Sequence, residues 1–198
     1  MRDFPECCNP VELLDLSGHK GLVIGIANDR SLAWPAAMHF RQAGADLAVT
    51  YLNERARPHV APLAARLEAP IVLPCDVTVP QELDSVFDAS AERWGRLDFI
   101  LHAVGAVPPA DLHGRLTDCS AAGFSEAMNV SVHSLIRMAH LAETLMTGGG
   151  SLITLSYLGG ERVVKNYNVM GPVKAALEAT VRYLAHELGP SNIRVNAI

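Results

Sequence analysis

Charge is scarce in this chain. Only 19% of its 198 residues are Asp, Glu, Lys or Arg, against about 25% in an average soluble domain. What charge there is leans acidic, 21 carboxylates to 16 Lys and Arg for a net −5, and no basic run occurs. The electrostatic footprint of a nucleic-acid binder is missing, so no nucleic-acid partner is expected. Long apolar runs are missing too. The most extended, Phe99 to Ala110, is broken by His102, Gly105 and two prolines. It falls short of the ~18 residues a membrane helix needs, so no membrane association is expected. Asp3 and Glu6, with no apolar stretch behind them, argue against a secretory signal. Cysteine is limited to four residues, Cys7 beside Cys8, and Cys75 and Cys119 apart. No CxxC or Cys/His spacing points to a metal, and the usage reads as reduced thiols in a cytoplasmic protein.

What the chain does hold is apolar residues, 49% of the total, with 15 glycines besides. That composition suits a sheet buried on both faces by helices. Residues 1–19, with Pro5, Pro10 and Gly18, read as an irregular leader, and 20–198 as a single α/β domain. Continuous apolar runs mark strands at Gly21–Ala27, Asp46–Tyr51, Ile71–Val77, Leu97–Val104, Ser151–Ser156 and Ile193–Ile198. Between them, helices are expected over Ser31–Ala43 (capped by Ser31), Glu54–Leu67, Pro80–Trp94, Ser120–Met146 and up to Gly189. Six alternations with right-handed crossovers predict a doubly wound parallel sheet of Rossmann type. Ligands are then expected at the carboxyl ends of the strands.

The first strand leads into Gly25-Ile26-Ala27-Asn28-Asp29-Arg30-Ser31. A glycine turn opening a helix suits a phosphate, although the Gly-x-Gly-x-x-Gly form is absent. No acid ends the second strand, so the usual mark of NAD is missing; Arg55 and Arg57 could attract a 2′-phosphate or simply be solvated. Asp76, past the third strand, could meet an adenine or merely open a helix, and His102 in the fourth strand is a catalytic or a structural candidate. The most informative stretch is Thr154-Leu155-Ser156-Tyr157-Leu158-Gly159-Gly160-Glu161-Arg162, followed by Asn166-Tyr167-Asn168-Val169-Met170-Gly171-Pro172-Val173-Lys174. Tyr167 and Lys174, seven apart, should share one helix face. A lysine beside a phenol favours the phenolate and aids donation to a developing oxyanion.

These motifs carry a resemblance. Ordinary short-chain dehydrogenases place Tyr and Lys four apart, but the residue four past Tyr167 is Gly171. The Tyr-x6-Lys spacing instead resembles a divergent branch of the short-chain dehydrogenase/reductase family, the bacterial enoyl-acyl-carrier-protein reductases of type II fatty-acid synthesis. Ser-Tyr-Leu-Gly-Gly-Glu-Arg and Asn-Tyr-Asn-Val-Met-Gly are similar to that family's own stretches, and Gly25 to Ala33 to its Gly-x5-Ser-x-Ala phosphate loop. Cys75-Asp76-Val77, His102-Ala103-Val104-Gly105 and Arg194 to Ile198 match its third, fourth and sixth strands.

The resemblance implies reduction of the trans-2 double bond of an enoyl-acyl-carrier-protein thioester by NADH or NADPH, with a lean to NADH. Tyr167 would hydrogen-bond the thioester carbonyl, Lys174 would hold the nicotinamide ribose, and Tyr157, with Ala106, would contact the acyl group. Gly25, Ile26, Ser31 and Leu32 would meet the pyrophosphate side of the cofactor, Asp76 and Val77 its adenine, and Val104 and Gly105 its ribose region. A homotetramer built on Ser120–Met146 and Val173–Leu188 is implied as well. Departures from the pattern are Leu52, where a polar or basic residue is frequent, and Ala106 and Lys165, where an aromatic and a proline are frequent. The family also continues past the position of Ile198 into a nicotinamide loop, a substrate-covering helix and a seventh strand. The chain is therefore expected to be C-terminally incomplete. Two other readings stay open: a chain that keeps a nucleotide site or subunit interface without turnover, and a 3-ketoacyl reductase of the ordinary short-chain type.

Overall fold

Six parallel strands pair in the order β3-β2-β1-β4-β5-β6 in the computed structural model, which describes residues 14–198. The strands are β1 (Lys20–Ile24), β2 (Asp46–Tyr51), β3 (Ile71–Pro74), β4 (Phe99–His102), β5 (Gly150–Thr154) and β6 (Ile193–Ala197). The helices are α1 (Ala33–Gln42), α2 (Arg57–Arg66), α3 (Pro80–Trp94), the single turn α4 (Pro109–Leu112), α5 (Ala121–Met128), α6 (Ser134–Leu145) and α7 (Met170–Leu188). This is the doubly wound order, and its direction of winding reverses between β1 and β4, where a crevice opens at the strand ends. Most of the expected leader, residues 1–13, lies outside the described residues. Among the described residues, no helix is long and apolar enough to cross a membrane.

Alternation along the strands divides the core in two. Leu22 and Ile24 of β1 join Leu83, Val86, Leu135, Met138 and Leu177 on the face covered by α3, α6 and α7. Val23 joins Trp34, Ala37, Val60 and Leu63 on the face covered by α1 and α2. With both faces covered, the strands read as unbroken apolar runs.

Several boundaries differ from the sequence expectations, each for a local reason. β1 stops at Ile24 because Gly25 turns with φ +116°, where a Cβ would meet Ala103 O at 2.2 Å. Only glycine fits there. Ser31 does not cap α1, which begins at Ala33 with no side-chain cap. Its hydroxyl instead closes the preceding loop, accepting from Ala27 N at 2.9 Å and Asn28 N at 3.0 Å. The expected long helix from Ser120 is interrupted by a widened π-turn over Asn129–His133 between α5 and α6. Tyr167 is not on α7 at all. Asn166 (φ +66°) and Asn168 (φ +43°) flank it in left-handed conformations, which no helix can continue through.

Candidate active site

Two chambers meet at the carboxyl ends of the central strands. The larger, about 880 Å³, is lined by Gly25 and Ile26 after β1, Thr50 and Leu52 at the end of β2, and Asp76 and Val77 after β3. Ala103 to Ala106 after β4 and Asn129 and Val130 of the π-turn complete it. The smaller, about 470 Å³, shares Ala103, Val104 and Gly105 and adds Leu32, Tyr157, Tyr167 and Lys174. The residues expected from the sequence come from five strand ends, and the fold brings nearly all of them to one connected cleft. Ser31 is the exception, since its hydroxyl points back into its own loop.

Around the smaller chamber the geometry is specific. The rings of Tyr157 and Tyr167 lie 4.6 Å apart, centroid to centroid, at 55°, the tilted arrangement aromatic pairs prefer. Lys174, buried on the first turns of α7, donates from Nζ to Leu155 O at 2.7 Å, just past β5. Burial lowers the Lys174 pKa, and Glu178 one turn along partly offsets this. Glu178 also accepts from Ser156 Oγ. The Tyr167 phenol moves the opposite way from the expected phenolate: burial pushes its pKa up, with Tyr157 adding to the rise. Desolvation outweighs any help from the lysine, so at neutral pH the phenol keeps its proton and can donate it.

The larger chamber has a different character. Asp76 closes a turn, its Oδ1 accepting from Thr78 N at 2.9 Å and Thr78 Oγ1 at 2.7 Å, while Asp76 N donates to Glu82 Oε2 at 2.7 Å. No Lys or Arg is among the described residues lining the chamber, whereas Asp76 and Glu126 are. Arg57 turns away to pair with Glu54 at 3.3 Å. His102 is fully buried below the cleft, bonded to Thr154 and Ser134 on its two ring nitrogens. It touches no open space where a substrate could sit, so the structural reading of this residue is the one the packing supports.

These residues fit an elongated dinucleotide. Both chambers lie in the size range of ligand pockets, about 300–1,000 Å³, and they join beside Gly105. A Cβ at Gly105 would come to 3.5 Å from Ser131 Oγ and 3.9 Å from Lys174 Nζ, so glycine leaves a gap between two polar groups. Ser131 Oγ is the one buried side-chain polar atom without a partner among the described residues. Buried hydroxyls rarely stay unpaired, which marks this gap as a place for a hydrogen-bonding guest. Sequence reasoning had no signal for Ser131, Glu178 or the π-turn, whose partners come from distant segments.

Residues 25–198 match the family model described as enoyl-(acyl carrier protein) reductase. The chain is 49% identical over 189 residues to the enoyl-acyl-carrier-protein reductase (NADH) FabI of Nostoc sp., covering 94% of this chain and 73% of that one. The corresponding protein of Bacillus cereus is 48% identical over 185 residues, covering 92% and 72%. Among solved structures, the Anaplasma phagocytophilum reductase in complex with NAD superposes with a TM-score of 0.90 at 48% identity, covering 93% of this chain and 70% of that one. The Bacillus cereus reductase with NADP+ and an indole naphthyridinone gives 0.89 at 47%, covering 93% and 72%.

Proposed function

Since the chain belongs to the enoyl-(acyl carrier protein) reductase family, we propose that it reduces the trans-2 double bond of an enoyl thioester carried on acyl carrier protein, using NADH. The observation that carries this reading is the smaller chamber, where Tyr157, Tyr167 and Lys174 face the junction with the larger one. When bound, the reduced nicotinamide supplies the hydride that the β-carbon of the substrate receives.

The chain's own residues do the rest. Tyr167 keeps its phenolic proton and donates a hydrogen bond to the thioester oxygen, on which negative charge grows as the β-carbon takes the hydride. The α-carbon then takes a proton from solvent water, which completes the saturated thioester. Lys174, fixed by Leu155 O, directs its remaining N–H groups into the cleft to hold the ribose hydroxyls. Tyr157 packs on Tyr167, setting the ring's angle and bounding the acyl group together with Ala106. Gly25, Ile26 and Leu32 form the pyrophosphate side, with the Ser31 hydroxyl closing the loop behind them. In the first turn of α1, Trp34 N donates to Ser31 O at 3.0 Å and Pro35 has no N–H, so an anion is favoured there by the positive end of the helix dipole. Asp76 and Val77 border the adenine, and Val104 and Gly105 the ribose.

NADH is favoured over NADPH because the described residues lining the larger chamber include two carboxylates, Asp76 and Glu126, and no Lys or Arg to hold a 2′-phosphate. The ordinary 3-ketoacyl reductase reading is disfavoured by Gly171, which stands where that chemistry requires lysine. A homotetramer is proposed on the helical faces that leave Phe124, Ile136 and Tyr183 exposed, and a cytoplasmic location fits the thiol usage.

The test is oxidation of NADH and NADPH by the purified chain with a trans-2-enoyl thioester, alongside calorimetric NADH binding. Turnover with NADH preferred is expected. Binding without turnover would favour a nucleotide-binding chain, and turnover only on 3-ketoacyl thioesters would overturn the substrate assignment.

A further inference from the structure

Below the cleft runs a directed hydrogen-bond ladder. Ser134 Oγ donates its one hydrogen to Val130 O at 2.6 Å, so it must accept from His102 Nε2, 2.8 Å away. Nε2 therefore carries the ring proton. Nδ1, left as an acceptor, takes the Thr154 hydroxyl at 2.8 Å. All three side chains are buried. Donation thus runs one way, from β5 through β4 to the π-turn, and each member has a partner.

Each end of the ladder reaches a wall of the cleft. At the π-turn, Ser134 N–H reaches back five residues to Asn129 O instead of four to Val130 O. The Ser134 hydroxyl takes Val130 O instead. The widened turn, which puts Asn129 and Val130 on the larger chamber, is thereby tied to the sheet. π-turns of this kind recur at functional sites. At the other end, Thr154 immediately precedes Leu155, whose carbonyl holds Lys174 Nζ and whose N–H bonds His102 O at 3.3 Å. His102 is itself the last residue of β4, directly before the shared floor of Ala103, Val104 and Gly105.

We infer that His102 is a positioning residue for the nicotinamide cofactor: through Thr154 and Ser134 it fixes the distance between the π-turn wall, the Gly105 floor and the carbonyl that anchors Lys174. This rests on the cofactor assignment made above. His102 touches neither substrate nor cofactor. Without the imidazole, the π-turn and the β5 end lose their common tether, and the cleft loses cofactor affinity while the Tyr167 donor stays in place.

The test compares His102→Leu, His102→Gln and Ser134→Ala in the same chain by calorimetric NADH affinity, KM and kcat. His102→Leu, which leaves the Thr154 and Ser134 hydroxyls without the imidazole between them, should weaken NADH binding and raise its KM roughly tenfold, with kcat changed less than about twofold. Ser134→Ala, which removes the acceptor of His102 Nε2–H and the donor to Val130 O but leaves the Thr154 link, should do the same more weakly. Gln offers one acceptor and one donor in the same order and should restore most of the affinity. Nitrogen-15 spectra of the wild type should show Nε2 protonated and Nδ1 bare at neutral pH. Loss of thermal stability with unchanged NADH affinity in both His102→Leu and Ser134→Ala would overturn the inference, as would the opposite tautomer. A wild-type chain that binds no NADH would instead count against the cofactor assignment itself.

Discussion

Tyr157 and Tyr167 stack at a tilt, 4.6 Å between ring centroids, although nine residues of chain lie between them. The contact makes one phenol the support of the other. Tyr167→Phe keeps the stacked ring and removes only the proposed donor to the thioester oxygen. The expected result is a fall in kcat of about 10²–10³-fold, the usual loss for one oxyanion donor, with NADH affinity unchanged. Steady-state kinetics with calorimetry would check it, and unaltered kcat would remove Tyr167 from the mechanism.

Cofactor preference should be movable at Leu52. This side chain is half exposed and lines the larger chamber, where the described lining residues include no cation. Leu52→Arg would offer a 2′-phosphate a charge-assisted hydrogen bond, worth about 1.5–3 kcal/mol. The ratio of kcat/KM for NADPH over NADH should rise roughly tenfold or more at low salt and shrink as salt is added. A salt-independent ratio would show that the introduced guanidinium acts through packing rather than charge.

Two glycines in the cleft should respond in opposite ways to alanine. At Gly25 a methyl would lie 2.2 Å from Ala103 O in a backbone of φ +116°, so Gly25→Ala should cost about 3 kcal/mol or more in denaturant unfolding. At Gly105 the nearest atoms are at ordinary contact distance. Gly105→Ala should change stability by no more than about 1 kcal/mol, yet weaken NADH binding by filling the gap between Ser131 and Lys174. Equal stability losses at both sites would contradict this division.

Element order, the sheet type and most of the cleft were legible in the sequence because each depends on short-range pattern. Apolar runs alternate with helical periods, and strand ends in a doubly wound sheet converge by topology. What could not be read depends on pairing at a distance. The partners of His102 lie 52 and 32 residues away in Thr154 and Ser134, and nothing in the local sequence announces them. The π-turn is equally silent, since Asn129–His133 keeps the apolar spacing of its neighbours. Tyr167 misled for another reason. Seven residues to Lys174 suggest two helical turns, but Asn166 and Asn168 adopt left-handed conformations that their type merely tolerates. The Tyr167 pKa followed burial rather than the lysine, and burial is a property of the folded chain alone.

The ladder below the cleft makes stability depend on pH through His102. Burial, with Lys174 contributing, lowers its pKa from 6.5 to about 3. Between those values the unfolded chain takes up a proton that the folded chain refuses. The stability tied to the neutral ring is therefore complete above pH 6.5 and declines as pH falls towards 3, at no more than about 1.4 kcal/mol per pH unit. His102→Gln removes the titrating group while keeping a donor and an acceptor. Urea unfolding from about pH 7.5 to about pH 4.5 should show a steeper acid loss in the wild type than in His102→Gln, the two curves diverging below about pH 6.5. Parallel curves would mean that His102 carries its proton in the folded chain, contrary to the ladder that Thr154 and Ser134 impose.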